Sequence, residues 1–224
     1  LFMSATILDK TTFCKSLGLP ESEVEYISIE TPFPVENRPV YFYPIGSMSA
    51  KSINYSLPKM VSAIREILKT HKNEKGIIHC HTFKIANYIK KNIRSKRLLI
   101  HTSEDRDIVL DKHIKSKEPT ILLSPSMSEG VDLKDDLSRF QIIVKIPYPY
   151  LGDPLIRKRM NKWEKWYPLQ TAKTVMQAAG RSVRSDTDTA TTYILDSDWE
   201  RFFSRNRSLF PNSFKRTKKT RCVA

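Results

Sequence analysis

Short apolar runs alternate with stretches of helical periodicity along most of this chain. The clearest helical stripe, with the spacing i, i+4, i+7 and i+11, consists of Leu57, Val61, Ile64 and Leu68. This stripe predicts an amphipathic helix, and Ser56-Leu57-Pro58 suits its first turn because proline is tolerated there. We expect the helix to end near His71.

Five further apolar runs predict strands, and the segments between them predict helices. The predicted strands cover residues 77–81, 98–100, 121–123, 142–144 and 193–195; the further helices carry Ile85, Ile89 and Ile93, or cover residues 105–115 and 175–183. Runs that are apolar at consecutive positions are typical of strands covered on both faces. Strands that alternate with helices predict an α/β fold with a mainly parallel central sheet flanked by helices.

The two ends of the chain have a less regular pattern. Residues 1–56 are interpreted as an irregular segment with a strand at residues 2–4, a short helix at residues 12–17 and a strand at residues 40–43. The strand at residues 193–195 is expected to be the last one, and residues 204–224 are expected to form a basic C-terminal tail. The charge run at residues 215–221 within this tail is expected to be mobile. We therefore predict one domain over residues 1–224.

Composition points to a polyanionic partner. The 224 residues include 38 Lys and Arg against 24 Asp and Glu, which gives a net charge of +14. Such an excess favours nucleic acid, nucleotide phosphates or an acidic membrane surface, and charge alone does not choose among them. Three scattered cysteines give neither a disulfide framework nor a metal pair, and no apolar run is long enough to cross a bilayer. We therefore expect no membrane partner and a reducing compartment, either the cytoplasm or the nucleus of a eukaryote.

The sharpest chemical signal is the pattern Q-x-x-G-R-x-x-R. If residues 175–183 and Arg184 form one helix, then Gln177, Gly180, Arg181 and Arg184 share a face. Two guanidinium groups one turn apart are suited to phosphate oxygens, and Gly180 leaves room for close approach. A solvated basic helix face is the plain alternative, but the composite pattern is more specific than its parts.

A second segment, SPSMSEGVDL, follows the predicted strand at residues 121–123. Ligands of parallel sheets lie beyond the carboxyl ends of the strands, so this loop and residues 82–84 are where chemistry is expected. Backbone N–H groups and hydroxyls could hold phosphate there, and Gly130 permits unusual backbone angles. Asp132 could accept a hydrogen bond from a ribose hydroxyl or orient an arginine.

Taken together, these segments resemble the ordered motifs of superfamily-two helicases, and more narrowly of the DinG/XPD-type DNA helicases. The resemblance covers most of the chain and includes Met3-Ser4-Ala5-Thr6, the strand with hydroxyl and aromatic residues at 76–83, SEGVDL at 128–133, the PYPY–DP segment at 147–154, and residues 177–184. It implies a RecA-like three-layer fold, the second such domain of a two-domain motor that closes over ATP and moves along single-stranded DNA. The polarity it implies is 5′ to 3′.

The resemblance also implies residue roles. Arg181 and Arg184 would be arginine fingers for ATP bound on an N-terminal RecA-like domain, and Gln177 would position the phosphate or the attacking water. Asp132, Gly130 and Gly180 would contact nucleotide. For DNA, the candidates are Ser126, Ser128, Thr82, Phe83 and Arg157. For Phe83 alone, packing in the core is the favoured interpretation.

Some family features are absent from this sequence. It contains no G-x-x-x-x-G-K-S/T phosphate loop, no acidic box for Mg²⁺ and no set of four cysteines. We therefore expect ATP and Mg²⁺ to be held mainly by the N-terminal domain, any iron–sulfur cluster to lie outside this segment, and the segment alone to be inactive. The start at Leu1, within an apolar run, suggests a longer chain.

Several weaker features and alternatives stay open. His79, Cys80 and His81 invite a metal interpretation, but on a strand the two histidines face away from the cysteine, and no metal is predicted. Trp163, Trp166 and Tyr167 are expected to pack within the domain rather than to stack on bases. The alternative functions are a non-catalytic nucleic-acid-binding module with a RecA-like fold and an RNA-directed helicase of a related branch.

Overall fold

Seven parallel strands form one sheet in the computed structural model, which describes residues 1–4, 6–125, 133, 135–180, 182–183 and 185–220. The strands are β1 (Val40–Gly46), β2 (Gly76–His79), β3 (Leu98–Ile100), β4 (Ile121–Ser124), β5 (Phe140–Ile143), β6 (Thr191–Asp196) and β7 (Lys218–Thr220). Their spatial order is β3-β4-β2-β5-β6-β1-β7, and every pair is parallel.

Helices connect the strands and cover both faces of the sheet. They are α1 (Lys10–Leu17), α2 (Ile53–Thr70), α3 (Phe83–Asn92), α4 (Arg106–Lys115), α5 (Pro154–Lys162), α6 (Trp166–Ala179), α7 (Asp198–Arg205) and α8 (Asn212–Thr217). Short 3₁₀ turns lie at Glu21–Glu23, Asp135–Leu137 and Arg207–Leu209. Among the described residues, no helix is both long enough and apolar enough to cross a membrane.

The predicted three-layer α/β fold is confirmed, because alternate strand residues enter two different hydrophobic layers. On one face, Ile78 of β2 and Ile142 of β5 pack with the apolar stripe of α2 and with α3. On the other face, Ile143 and Ile194 pack with residues of α6, α7 and α8. The central strands therefore bury both faces, which explains why their sequences are apolar at consecutive positions.

The long helix α2 begins earlier than predicted. It starts at Ile53, so Pro58 lies inside the helix rather than in its first turn, and it ends with His71 as its cap, as expected. Proline has no N–H to donate, and one hydrogen bond within the helix is lost at that position. The apolar stripe nevertheless packs in the core and outweighs this local loss.

The strand at residues 40–43 is confirmed and extended, and it changes the interpretation of residues 1–56. β1 lies between β6 and β7, so this part of the segment belongs to the sheet. Helix α1 agrees with the predicted short helix, with Asp9 capping its start and Gly18 in the left-handed region at its end. The predicted strand at residues 2–4 is wrong, because these residues form no strand and Phe2 is 63% exposed.

Residues 204–220 are part of the packed domain and not a plain tail, and the expected mobility of the charge run is wrong for residues 215–220. After α7 the chain forms a 3₁₀ turn, helix α8 and strand β7, which pairs with β1. Aromatic contacts hold this segment: Phe210 lies against Trp199 with ring centroids 5.7 Å apart and against Phe214 at 5.2 Å. The Lys218 ammonium lies 4.8 Å from the ring centroid of Phe203. The basic residues of this segment therefore belong to a helix and a strand that pack on the rest of the domain.

Candidate nucleotide and nucleic-acid interface

The buried carboxylate of Asp196, the last residue of β6, organises the carboxyl edge of the sheet. It accepts hydrogen bonds from the backbone N–H groups of Ile146 (3.0 Å), Met48 (3.2 Å) and Asp198 (3.2 Å). Burial raises the pKa of Asp196, against the opposing effect of these three donors. One side chain thus ties together the loops that follow β1, β5 and β6.

Gln177 meets the N-terminal segment of the chain. Its Nε2 atom donates to Oγ1 of Thr6 at 3.2 Å, and Thr6 is buried. The two residues are 171 positions apart. They belong to two of the segments that resemble helicase motifs, residues 3–6 and 177–184. The fold therefore brings the start of the chain to the last turn of α6.

Helix α6 ends before the two arginines, so the predicted common helical face for residues 177–184 is wrong. The helix ends at Ala179, Gly180 is its exposed cap, and Ser182 and Val183 are buried outside any helix. The side chain of Gln141 on β5 donates to the carbonyl of Ala179 at 2.9 Å and so satisfies a group at the helix end. Glycine also has a low helix propensity. Arg181 and Arg184 themselves lie outside the described residues.

An ion pair that the sequence did not reveal joins the segments that lead into β5 and β6, at the amino edge of the sheet. Arg139 donates to Asp188 and to the carbonyl of Thr189 (3.0 Å), while Asp188 also accepts the backbone N–H of Asp135 at 3.2 Å. Asp188 is buried, and the Arg139 side chain is about a quarter exposed at 24%. Because Arg139 and Asp188 are 49 positions apart, no local pattern could have identified them.

The residues after β2 lie at the carboxyl edge of the sheet, as Asp196 does. Thr82 caps α3, its hydroxyl accepting the N–H of Ile85 at 3.3 Å, and Phe83 is the first residue of that helix. Phe83 is 39% exposed and packs edge-on against the His101 ring, with ring centroids 5.9 Å apart. Core packing for Phe83 is therefore wrong, because a first-turn position leaves its ring at the rim of the sheet.

The loop that follows β4 falls largely outside the described residues. Ser126, Ser128, Gly130 and Asp132 are the predicted positions that lie there. On either side of them, Ser124 and Pro125 are buried at the end of β4, and Leu133 is buried against Ile77 and Leu122. The loop thus leaves the sheet at the carboxyl end of β4 and returns to pack Leu133 on a face of the sheet.

Helix α5 carries the basic segment of the site. Asp153 caps it by accepting the N–H of Leu155 at 2.7 Å, and Arg157 is exposed on the helix surface. The guanidinium of Arg159 lies 5.6 Å from the ring centroid of Trp166. Trp166 is buried, in agreement with the expectation that it packs within the domain.

Tyr167 also packs within the domain. Its hydroxyl donates to the carbonyl of Pro149 at 3.0 Å, and its ring stacks on Tyr148 at 6.2 Å between centroids. Burial raises the pKa of Tyr148 to about 12 and also raises that of Tyr167. Both phenols are therefore neutral at physiological pH, and they form a fixed aromatic wall.

His79, the last residue of β2, and His81 have different surroundings from Cys80, which lies between them. Cys80 is fully buried, and burial raises the pKa of its thiol, so it is not a reactive thiolate. His79 and His81 both line a cavity at the carboxyl edge, although the strand ends at His79 and His81 has a φ of 65°. Within the part of the chain that the structure describes, no three His, Cys, Asp or Glu residues form a potential metal site.

Residues 60–217 match the model of the Helicase C-terminal domain family. Over 203 residues the chain is 25% identical to the ATP-dependent DNA helicase DinG of Photobacterium profundum, which covers 83% of this chain and 29% of that protein. Over 107 residues it is 33% identical to the Regulator of telomere elongation helicase 1 homolog of Caenorhabditis briggsae, covering 41% of this chain and 10% of that protein. The chain thus spans less than a third of the length of these relatives.

Solved structures show the same fold at low sequence identity. A structure of XPD in the apo form matches with a TM-score of 0.64 at 15% identity, covering 82% of this chain and 40% of that chain. Dbp5 of S. cerevisiae, bound to RNA and ADP BeF3, matches with a TM-score of 0.62 at 14% identity, covering 97% of this chain and 50% of that chain. Both support the RecA-like arrangement.

A parallel sheet with this order has the segments after β2 and β4 at its carboxyl edge and the Gln177 segment beside the starts of β1 and β5. This arrangement defines the second RecA-like domain of a helicase. The chain belongs to the Helicase C-terminal domain family. Within that family it is a superfamily-two domain of the DinG/XPD type. The curated relatives DinG and YoaA are ATP-dependent DNA helicases.

Proposed function

We propose that this chain is the C-terminal motor domain of an ATP-dependent DNA helicase. It supplies Arg181 and Arg184 to ATP bound on an N-terminal RecA-like domain and grips single-stranded DNA, moving 5′ to 3′. The observation that carries the proposal is the hydrogen bond from Gln177 to Thr6. It links the glutamine of the arginine segment to the element that the resemblance assigns to coupling between the nucleotide and the DNA sites.

The chemistry of phosphoryl transfer supports this assignment. The reaction needs cationic charge on the transferred phosphoryl group, and an arginine supplied across a cleft acts only when the cleft is closed. Gln177 lies on the last turn of α6, and exposed Gly180 follows it without a side chain to obstruct a phosphate. Asp132 and Gly130 complete the proposed nucleotide contacts. Mg²⁺ and the other ATP phosphate contacts belong to the N-terminal domain.

The carboxyl edge offers a surface for single-stranded DNA. Thr82, exposed Phe83 and exposed Arg157 all follow strand ends on this edge, with Ser126 and Ser128 in the loop after β4. Cations neutralise backbone phosphates without reading sequence, and an exposed ring can stack on a base. The net charge of +14 favours such a polyanion.

The test uses a protein in which this chain is joined to the N-terminal RecA-like domain, here called the joined protein. Arg181→Ala and Arg184→Ala should each lower DNA-stimulated ATP turnover by about 10³-fold or more, since arginine fingers contribute about 10³–10⁵ in rate. Affinity for single-stranded DNA should change by less than about threefold, because the arginines contact ATP and not the strand. The matched control is Arg94→Ala, an exposed arginine between α3 and β3.

The outcomes separate the candidate functions. Loss of DNA binding with intact ATP turnover would reverse the assignment of the two arginines. Absence of ATP turnover in the joined protein would favour a non-catalytic nucleic-acid-binding module. Tighter binding and faster stimulation by single-stranded RNA would favour an RNA-directed helicase. The chain without its partner domain should hydrolyse no ATP, because its sequence has no phosphate loop.

A further inference from the structure

A cavity of about 420 Å³ opens at the carboxyl edge of the sheet. It lies between the ends of β2, β4 and β5 and the helices α5 and α6. This volume is within the range of about 300–1,000 Å³ that is typical of small-ligand sites. Of the residues assigned to catalysis or nucleotide binding, the two that the structure describes, Gln177 and Gly180, do not line it.

The charge of the cavity is positive. Lys145, from the segment after β5, and Arg159 of α5 line it, and among the described residues none of its lining is Asp or Glu. The stem of Arg159 is anchored over the buried Trp166 ring, with the guanidinium 5.6 Å from the ring centroid. His81 also lines the cavity, and burial together with the charge of Lys145 lowers its pKa and keeps it neutral. Among the described lining residues, an anionic ligand therefore meets two cations and no opposing carboxylate.

One wall of the cavity is an exposed aromatic ring. Tyr150 lines the cavity and is nevertheless 80% exposed. Its ring lies directly against Gly152, where an added Cβ would collide with the ring atoms. The ring therefore contacts the bare glycine backbone and otherwise stays largely exposed. Tyr148, which also lines the cavity, is held in place by its stack with Tyr167.

We propose that this Tyr150 cavity holds one nucleotide of a single DNA strand, with the base stacked on Tyr150 and the phosphate between Lys145 and Arg159. The proposal rests on the proposed function, which brings single-stranded DNA to this edge. A ring that is 80% exposed suits a strand that continues past the cavity better than a small molecule enclosed within it. Exposed Arg157 lies two residues from Arg159 on the same helix and extends the cationic surface.

The experiment measures the fluorescence and the affinity of an oligothymidylate that carries one 2-aminopurine, bound to the joined protein without ATP. Stacking on a ring quenches 2-aminopurine, and base–aromatic stacking corresponds to about tenfold in affinity per base. Tyr150→Ala should weaken binding about tenfold and abolish the quenching at one position of the probe, whereas Tyr150→Phe should retain both. The matched control is Tyr55→Ala, because Tyr55 is also 80% exposed but lies on α2, outside the cavity.

A second variant tests the phosphate contact. Arg159→Gln should weaken binding and reduce the slope of log affinity against log salt by about 0.7, the value for one phosphate contact on a single strand. Lys145→Gln should act in the same direction. Truncation of these side chains should leave the fold intact, since Tyr150 and Arg159 are both exposed.

The outcomes distinguish the cavity from the wider function. If wild type binds DNA and Tyr150→Ala behaves like Tyr55→Ala, the cavity assignment is overturned while the helicase proposal stands. If wild type fails to bind single-stranded DNA, both are overturned. If free deoxynucleoside monophosphate occupies the cavity and does so without competition from the oligonucleotide, the ligand is a free nucleotide, and the strand assignment is wrong.

Discussion

The guanidinium of Arg139 and the carboxylate of Asp188 form an ion pair beside the starts of β5 and β6, with Nη1 and Oδ1 2.5 Å apart. The same carboxylate accepts the backbone N–H of Asp135. Asp135 is two residues past the end of the helicase-like segment at 128–133, and Asp188 follows the arginine segment by four residues. The pair therefore fixes the outgoing ends of both segments to each other and to the start of β5.

Replacing Asp188 should destabilise the fold, because the variant Asp188→Asn leaves Arg139 without its buried counter-charge. We expect the free energy of unfolding to fall by about 2 kcal/mol, a value typical of hydrogen bonds to charged groups. The control is Asp136→Asn, which removes the other carboxylate on Arg139; the Asp136 side chain is 94% exposed. That variant should lose less than about 0.5 kcal/mol, as exposed pairs do. Urea unfolding measures both, and equal losses would contradict the argument.

Gln177 and Thr6 should act as a unit in ATP turnover. Gln177→Ala and Thr6→Val each remove one partner of the same hydrogen bond, and each should lower the turnover number of the joined protein by about tenfold, equivalent to about 1.4 kcal/mol. The double variant should be no slower than the slower single variant, because the shared contact is lost only once. Thr11→Val is the control, since the Thr11 hydroxyl contacts Glu21 instead. Fully additive losses would show that the contact has no catalytic consequence.

His113 should make stability fall on mild acidification. Its Nε2 atom donates to the carbonyl of Leu137 (2.8 Å), so its Nδ1 atom accepts from the hydroxyl of Thr120 (2.8 Å), and the ring is neutral. Burial lowers the pKa of His113 to about 4, and the nearby Lys75 charge contributes in the same direction. The unfolded state binds a proton below about pH 6.5, whereas the folded state does not until about pH 4. Stability is therefore complete above pH 6.5 and decreases as the pH falls towards 4.

The measurement is urea unfolding of wild type and of His113→Gln at pH 7.5 and pH 5.0. Wild type should lose about 2 kcal/mol more than the variant between these two values, because the glutamine does not titrate. The glutamine amide can still donate to the carbonyl of Leu137, so the variant should remain folded. A variant with the same pH dependence as wild type would assign the effect to another group.

The C-terminal aromatic cluster should contribute strongly to stability. Phe210 is 1% exposed and contacts the rings of Trp199, Phe203 and Phe214. Phe210→Ala should lower the free energy of unfolding by about 3–5 kcal/mol, as expected for a large-to-small change in a core. Phe83→Ala, at a ring that is 39% exposed, should cost about 1 kcal/mol or less. If the two variants were equally stable, residues 204–220 would be a tail after all.

Much of the central sheet could be predicted from local pattern. The structure places β3 at the predicted residues 98–100 and β4 over the predicted run at 121–123 with one added residue. A strand buried on both faces must be apolar at consecutive positions, so a short stretch of sequence is enough to predict its burial. Helix α2 was predictable for a similar reason, since its apolar stripe faces one layer of the core.

The elements that were missed depend on distant partners. The end of α6 is fixed by Gln141, which lies on β5, and the order of residues 204–220 depends on contacts of Phe210 and Phe214 with Trp199. Lys218 looked like part of a solvated charge run, yet it lies in a strand beside β1 with its ammonium near the Phe203 ring. A basic composition does not reveal such a position, because long lysine stems can pack while their charges stay at the surface.

The sequence by itself determined the class of fold and the family of this domain, since periodicity reports burial and short motifs retain the residue types that phosphate chemistry needs. Only the tertiary structure decided that Thr6 contacts Gln177, that Arg139 pairs with Asp188 and that Tyr150 and Arg159 line the same cavity. The physical reason is the distance along the chain over which each kind of interaction acts. Backbone preferences and amphipathic patterns act over a few neighbouring residues, whereas a site is assembled from strand ends that the chain brings together only once the sheet has formed.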